Sequence, residues 1–372
     1  MNALLLMPPV ADETFSSWVF RYINSSDARK RGVVRADDFA MLESDDPDFD
    51  GHSSFLAQVK SILVDVEFRE DIFGAKSDWL LPWMDRRHYC HKCLRDDIAQ
   101  KRLPSWRKSW CYVFSTHCVE HRCPLSYYDF YESSIDKGWE AFAAHIWPGA
   151  EDPAKVRLLG PRDRGRLDRI LYVLVRKAIT WYLCTPPEQL EEVDDFLGRR
   201  QCFLAFFRIF LQLKTKKIPV SLVLDDFTGG RRGYSLSNFG YPMAIDLGVY
   251  LSTAHQRACS IIMAGILMSA FSPAEVDLLH RIAEETKCWF SAPQDYIGRS
   301  AISVCKVSDY YYIRSLFSGV SSVVLKEVSE FIWGVESKTW IQGAPVSSRY
   351  REKVWMKWQF DPHETPEAWA YP

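Results

Sequence analysis

The chain has 372 residues, 47% of them hydrophobic and 14% aromatic, which is enough for a substantial core spread over two or three domains and argues against global disorder. A formal net charge of −2 argues against a protein that coats nucleic acid indiscriminately. Of ten cysteines, five gather between positions 90 and 123 and the rest are scattered singly, a pattern that suits buried thiols in a reducing compartment and not a disulfide framework. No apolar run approaches the length of a membrane span. Leu4-Leu5-Leu6 is too short for a signal peptide, so a cytoplasmic location is expected.

In chain order, Phe15, Trp18, Val19, Tyr22 and Ile23 recur at helical spacing and predict a helix over 12–25, with Asp12 and Glu13 placed favourably at its N-terminus. Residues 36–50 hold seven carboxylates and no basic residue, and read as a solvated loop. Phe55, Leu56, Val59, Ile62, Leu63 and Val66 predict a second amphipathic helix. Residues 1–80 therefore read as an N-terminal helical domain, helix-turn-helix-like in its packing.

Next come Cys90-x-x-Cys93 and Cys118-x-x-His121, two short knuckles that each offer two metal ligands from one tight turn. Structural zinc needs four such ligands in a tetrahedron, so Cys90, Cys93, Cys118 and His121 are the candidate set in a module over 81–131. His88, His91, His117, Cys111 and Cys123 lie close enough in sequence to replace one of them. Between the knuckles, basic and aromatic residues interleave. Arg102, Arg107, Lys108 and Trp110 are candidates for contact with a partner or with nucleic acid, since this mixture suits a phosphate backbone, stacked bases or an arginine-anchored protein interface. The competing reading packs Trp106 and Trp110 against the knuckles, because a small metal module has few other apolar side chains.

Residues 132–372 read as a C-terminal helical domain. Leu167, Ile170, Leu171, Leu174, Val175, Ala178 and Trp181 trace one face of a long helix, and 188–213 predicts another. Glycines punctuate 226–248, which reads as loop, and 250–271 reads as one apolar helix. Ser272-Pro273-Ala274-Glu275 has the form of a capping box opening a helix. A short strand is expected over 301–307. Residues 308–333 read helix, turn, helix, with Ser321 as a cap and a Trp-rich tail beyond 334. The predicted class is mainly α: helical domains with helix-turn-helix-like units flanking a small zinc-stapled module.

Catalytic signatures are missing from the sequence: it has no His-Glu-x-x-His, no Gly-x-Ser-x-Gly, no Walker loop and no dinucleotide fingerprint. The zinc deaminase pattern fails too, because Tyr89 precedes Cys90 and no His-x-Glu lies upstream. Four strong ligands predict a closed structural metal and not an open catalytic one, so the chain reads as a binding protein. A zinc-dependent hydrolase is the remote alternative.

The order Cys90-x-x-Cys93-Leu94-x-x-Asp97, then Trp106-Arg107-x-x-Trp110, then Cys118-x-x-His121-x-x-Pro124-Leu125 resembles the TniQ family of transposon target-site selectors. Pro8-Pro9-x-x-Asp12-Glu13-Thr14-Phe15-Ser16-Ser17-Trp18-x-x-Arg21 is similar to that family's opening. Cys90-His91-Lys92-Cys93 departs from members with proline after the first cysteine, a change that leaves metal binding intact. The resemblance implies a non-catalytic adaptor in DNA transposition. Family members near this length dock, often as homodimers, on a CRISPR Cascade complex and hand the target to an AAA+ regulator. DNA and guide RNA would then be engaged indirectly, with specificity set by guide pairing. The alternative is a selector that binds DNA sequence-specifically without guide RNA.

Overall fold

A computed structural model describes residues 7–26, 46–62, 79–128, 135–146, 161–183, 190–213, 241–286, 292–302 and 307–340. It is mainly helical and divides into two compact units, one of residues 1–155 with 253–255 and one of 156–252 with 256–372.

The first unit opens with α1 (Phe15–Ile23) and α2 (Ser54–Ile62). Phe15, Trp18, Val19, Tyr22 and Ile23 pack against Phe55, Leu56, Val59 and Ile135, as their helical spacing requires. Helix α1 begins later than the acidic pair suggested. Thr14 is its N-cap and no carboxylate lies in its first turn. Glu13 precedes the helix because its carboxylate has stronger partners than the helix dipole. Both oxygens accept from Arg21, at 2.7 and 2.8 Å, one also from Ser17 Oγ at 3.1 Å and the other from the Val10 amide at 2.8 Å.

The candidate metal module follows. A 3₁₀ turn at Trp83–Asp85 leads into β1 (His88–Tyr89), and α3 (His91–Ala99) starts with Cys90 at its N-cap. A second 3₁₀ turn spans Lys108–Trp110, and β2 (Ser126–Tyr127) returns antiparallel to β1, pairing His88 with Tyr127 and Tyr89 with Ser126. Helix α4 (Lys137–Ile146) packs on α3.

Part of the acidic stretch is not solvated. Asp46 holds Arg86 through two oxygens, at 2.8 and 2.5 Å, and Asp48 lies 3.6 Å from the same guanidinium. Arg86 and Asp48 are both buried, and Arg86 also lies 4.7 Å from the centroid of the Phe49 ring. A cation this deep must be paired, and 46–50 supplies the pair. Residues 36–45 lie outside the described residues.

The second unit comprises α5 (Pro161–Leu183), α6 (Leu190–Phe210), α7 (Tyr241–Leu251), α8 (Ala254–Leu267), α9 (Pro273–Thr286), α10 (Gln294–Ala301), α11 (Val307–Ser315), α12 (Ser322–Glu327) and α13 (Ser329–Trp340). Two expectations are corrected. Residues 241–248 are helical and not loop; Ala244 and Ile245 are fully buried there, and burial outweighs the weak propensity of Gly248. The apolar run 250–271 is broken at Ser252, whose Oγ caps back onto the Val249 carbonyl at 2.9 Å and whose own carbonyl accepts from Arg257 at 3.2 Å. Glycines 229, 230 and 233 and the tail beyond 340 lie outside the described residues. So does the middle of the expected strand, whose first and last residues, Ala301 and Val307, belong to α10 and α11.

The Ser321 cap forms as expected, and the Ser272 box forms by half, because the Ser272 hydroxyl donates to Glu275 Oε2 at 2.8 Å instead of accepting the Glu275 amide. The Ser272 amide donates to Glu275 Oε2 at 2.7 Å, and Ser321 Oγ accepts from the Val324 amide at 3.3 Å. Helices α11, α12 and α13 give the helix–turn–helix order expected over 308–333, with Gly319 at φ +80 in the turn. Phe206 of α6 packs edge-on to Phe317 and Phe331, with ring centroids 5.5 and 4.7 Å apart.

Candidate metal centre

The local fold brings Cys90, Cys93, Cys118 and His121 into one cluster. Their ligand atoms all lie within 4.8 Å of one another, and among the described residues no other such group forms. Cys90 caps α3 and Cys93 lies in its first turn, so one helix start presents two sulfurs. The second knuckle is closed by backbone bonds. The Arg122 amide donates to the Cys118 carbonyl at 2.8 Å, and the Cys118 amide donates to the Cys123 carbonyl at 2.9 Å. Arg122 takes φ 50 to make that turn. The His121 amide points at Cys118 Sγ, 3.4 Å away.

These spacings fit a tetrahedral ion. Metal–sulfur and metal–nitrogen bonds of about 2.3 and 2.0–2.1 Å give tetrahedron edges of about 3.8 Å between sulfurs and about 3.5 Å between sulfur and nitrogen. Cys93 Sγ lies 3.5 Å from Cys118 Sγ, and His121 Nδ1 lies 3.5, 3.3 and 3.6 Å from Cys90, Cys93 and Cys118. The other ring nitrogen of His121, Nε2, sits 2.9 Å from Asp96 Oδ2. A carboxylate there fixes the ring so that Nδ1 faces the sulfurs, and it raises the basicity of the ligand nitrogen.

The thiols titrate apart. Hydrogen bonding from Cys118 lowers Cys90 to about 7, while the bonds Cys93 makes to Cys118 and Cys90, with burial, push Cys93 up. Three crowded sulfurs cannot all ionise without a cation among them, and a divalent ion supplies that charge. The site can therefore hold a metal ion, and its three-sulfur, one-nitrogen donor set is compatible with zinc.

The alternative ligands are engaged elsewhere. Cys111 Sγ donates to the Arg107 carbonyl at 3.5 Å. His91 Nδ1 lies 3.4 Å from Ser126 Oγ, and His88 packs edge-on to Tyr127. His117 Nδ1 lies 2.8 Å from Thr116 Oγ1, and burial lowers its pKa to about 4. Cys123 lies outside the group of four but touches it, with its sulfur 3.8 Å from Cys90 Sγ.

The interleaved basic and aromatic residues are largely internal. Trp106 and Trp110 are both 2% exposed and stand edge-to-face at 5.5 Å, packed with Tyr89, Leu94 and the knuckle cysteines. Arg107 is buried against Asp97 and Lys108 is buried as well. Arg102 keeps 38% of its side chain exposed while bonding Asp97 at 3.2 Å. The exposed cations of the module are Lys92, Arg95, Lys101 and Arg122. Sequence reasoning passed over them as site candidates, although Lys92 and Arg95 lie three apart on α3 and so share a face.

The N-terminus is fastened to this module. The Thr14 amide donates to the Trp106 carbonyl at 3.0 Å and the Trp106 amide donates to Ser17 Oγ at 2.8 Å. Asp12, at φ 64, accepts from the Lys108 amide at its carbonyl and from the Ser109 amide at its carboxylate, at 2.6 and 2.9 Å. The two motif-bearing stretches, 8–22 and 88–125, thus form one interlocked structure.

These observations define a mainly helical protein whose first unit carries a Cys₃His knuckle module. Residues 65–125, which include all four clustered ligands, match the TniQ family model, so this stretch of the chain is similar to a TniQ domain. A TniQ domain indicates a transposition-associated role in selecting the target site. No curated protein and no solved structure matches the chain. Among the described residues, no helix is long and apolar enough to cross a membrane.

Proposed function

We propose that this chain is a non-catalytic adaptor in DNA transposition that acts in the cytoplasm. It docks on a CRISPR Cascade-type RNA-guided complex, as a homodimer, and recruits an AAA+ transposition regulator. Guide pairing in other subunits then sets the sequence specificity. The observation that carries this reading is the construction of the TniQ module. Its metal ligands form a closed set of four, so a bound zinc ion would be structural, with no coordination position left for substrate. The motif residues Glu13, Ser17, Arg21, Asp97, Trp106 and Arg107 are spent on each other, building a rigid platform and not a reactive site.

A tagged pull-down from a host carrying the whole locus, treated with DNase, tests the proposal. Guide-length RNA recovered with stoichiometric Cascade subunits is the expected result. Recovery of the ATPase alone, dependent on DNA and without guide RNA, would overturn it.

The second reading is a selector that binds its DNA site directly, and one observation favours it. Lys92, Arg95, Lys101 and Arg122 are exposed on the module, against the exposed acids Asp96 and Glu120. Phosphate contacts by such residues would make affinity fall steeply with salt, with a slope of roughly 0.9 per phosphate neutralised. Binding of purified protein to candidate attachment sites across a salt series separates the two readings.

A further inference from the structure

Cys123 stands beside one member of the group of four without belonging to it. Its Sγ lies 3.8 Å from Cys90 Sγ, which is the sulfur–sulfur edge of a zinc tetrahedron, about 3.8 Å for bonds of about 2.3 Å. Its backbone is already part of the second knuckle, since its carbonyl accepts the Cys118 amide at 2.9 Å. The four-ligand group is least enclosed at His121. Cys90, Cys93 and Cys118 are buried, whereas the His121 side chain is 21% exposed and is held from outside by Asp96.

The geometry points to Cys123 as a reserve metal ligand: when the His121 imidazole leaves the ion, the Cys123 thiolate takes its place and completes a four-sulfur site. This rests on the metal-binding reading of the cluster. Three donors compete for the place vacated by His121: Cys123, the Glu120 carboxylate, whose Oε2 lies 3.3 Å from Cys93 Sγ, and water. Cys123 wins on two grounds. A borderline-soft divalent ion in a set of thiolates takes a further thiolate ahead of oxygen. The knuckle also fixes the Cys123 backbone beside the site, so that only its side chain must turn, whereas Glu120 is an exposed residue that gives up its hydration on binding. The exchange balances without oxidant or reductant: the metal–nitrogen bond breaks, the metal–sulfur bond forms, and the Cys123 thiol proton passes to solvent or to the departing imidazole.

Cobalt(II) reports the number of bound thiolates through its sulfur-to-metal charge-transfer absorption, so the full chain is stripped, loaded with cobalt(II) and read against bound metal. Wild type and Cys123→Ser should give the same three-thiolate spectrum at one ion per chain. His121→Ala should still bind one ion, with charge-transfer intensity higher by about a third, the ratio of four thiolates to three. His121→Ala with Cys123→Ser should lose that increment or the ion itself. A three-thiolate spectrum in His121→Ala, unchanged by adding Cys123→Ser, overturns the reserve role in favour of Glu120 or water. If His121→Ala does not fold, His121→Asn keeps a polar group in the knuckle and is read in the same way; failure of both to hold the ion also overturns it. Absence of any thiolate signature in wild type defeats the metal reading itself, and so is told apart from failure of the reserve ligand.

Discussion

Arg107 Nη2 lies 2.9 and 3.1 Å from the two carboxylate oxygens of Asp97, a residue with no exposed surface. Asp97 also accepts the amide and the hydroxyl of Ser105, at 3.0 and 2.7 Å, so the pair fixes the chain where it enters the Trp106–Trp110 turn. Removing one partner of a buried pair leaves the other charge uncompensated, which costs about 3–5 kcal/mol. Arg107→Ala should therefore lower the melting temperature of the first unit by several degrees, measured by thermal unfolding followed through tryptophan fluorescence. Weakened partner binding with an unchanged melting temperature would instead make Arg107 a surface contact.

The metal cluster predicts a sharp division among the cysteines. Cys90→Ala and Cys118→Ala should each lose the bound ion, whereas Cys111→Ala should keep it, since the Cys111 sulfur faces the Arg107 carbonyl. Structural zinc contributes on the order of 10–16 kcal/mol of folding free energy in small knuckle peptides, so chelation should unfold the module and not merely silence it. Metal content by atomic emission, with near-ultraviolet circular dichroism of Trp106 and Trp110, checks both statements. Full zinc content in Cys90→Ala would remove Cys90 from the ligand set.

Why some of this was legible in the sequence and some not follows from the range of the interactions. Knuckles are local: Cys90 with Cys93, and Cys118 with His121, are each set by one turn, so spacing reveals them. Glu13, Ser17 and Arg21 recur every four residues and bond one another, a set that the helical reading of 12–25 does not single out. Asp46 and Arg86 lie 40 positions apart, and nothing near either one announces the pair. A charged residue read alone is a surface residue. Arg107 and Lys108 therefore read as candidate contacts, and the carboxylates of 46–50 as solvated, until the chain's return path is known. The break at Ser252 was hidden for a different reason: apolar residues continue through it, and a hydroxyl capping its own helix leaves no mark in a hydrophobic pattern.

Lys137 gives a pH prediction. Its ammonium donates to the Trp83 carbonyl at 2.8 Å and lies 3.4 Å from the centroid of the Trp83 ring, in a site where the residue is 3% exposed. Burial lowers its pKa from 10.5 to about 7; Asp48 opposes the shift and Arg86 adds to it. Between those values the unfolded chain binds a proton that the folded chain has released. This group's contribution to stability therefore rises with pH across that window and is least favourable, and constant, below about 7. The slope is at most about 1.4 kcal/mol per pH unit. Lys137→Met keeps the aliphatic stem and should abolish this slope, so the melting difference between wild type and variant should narrow from pH 7 to pH 9. A constant difference would mean that Lys137 stays protonated throughout.

In the second unit, two helices cross with their backbones touching. A Cβ on Gly298 of α10 would come 2.1 Å from the Phe331 carbonyl oxygen, and one on Gly334 of α13 would come 2.0 Å from that of Asp295. Both obstacles are backbone, which cannot swing aside. Alanine has the better helix propensity by about 1 kcal/mol, but separating packed helices costs about 1–3 kcal/mol or more, so sterics decide. Gly298→Ala and Gly334→Ala should each lower the stability of the second unit in urea. Gly198, within α6, is the control. A Cβ there meets the Val320 and Val324 side chains at 3.4 and 3.5 Å and the Ser321 amide nitrogen at 3.8 Å, all ordinary van der Waals contacts, so propensity decides and Gly198→Ala should stabilise by up to about 1 kcal/mol. Equal effects at Gly198 and Gly298 would mean that α10 and α13 do not cross this closely in solution.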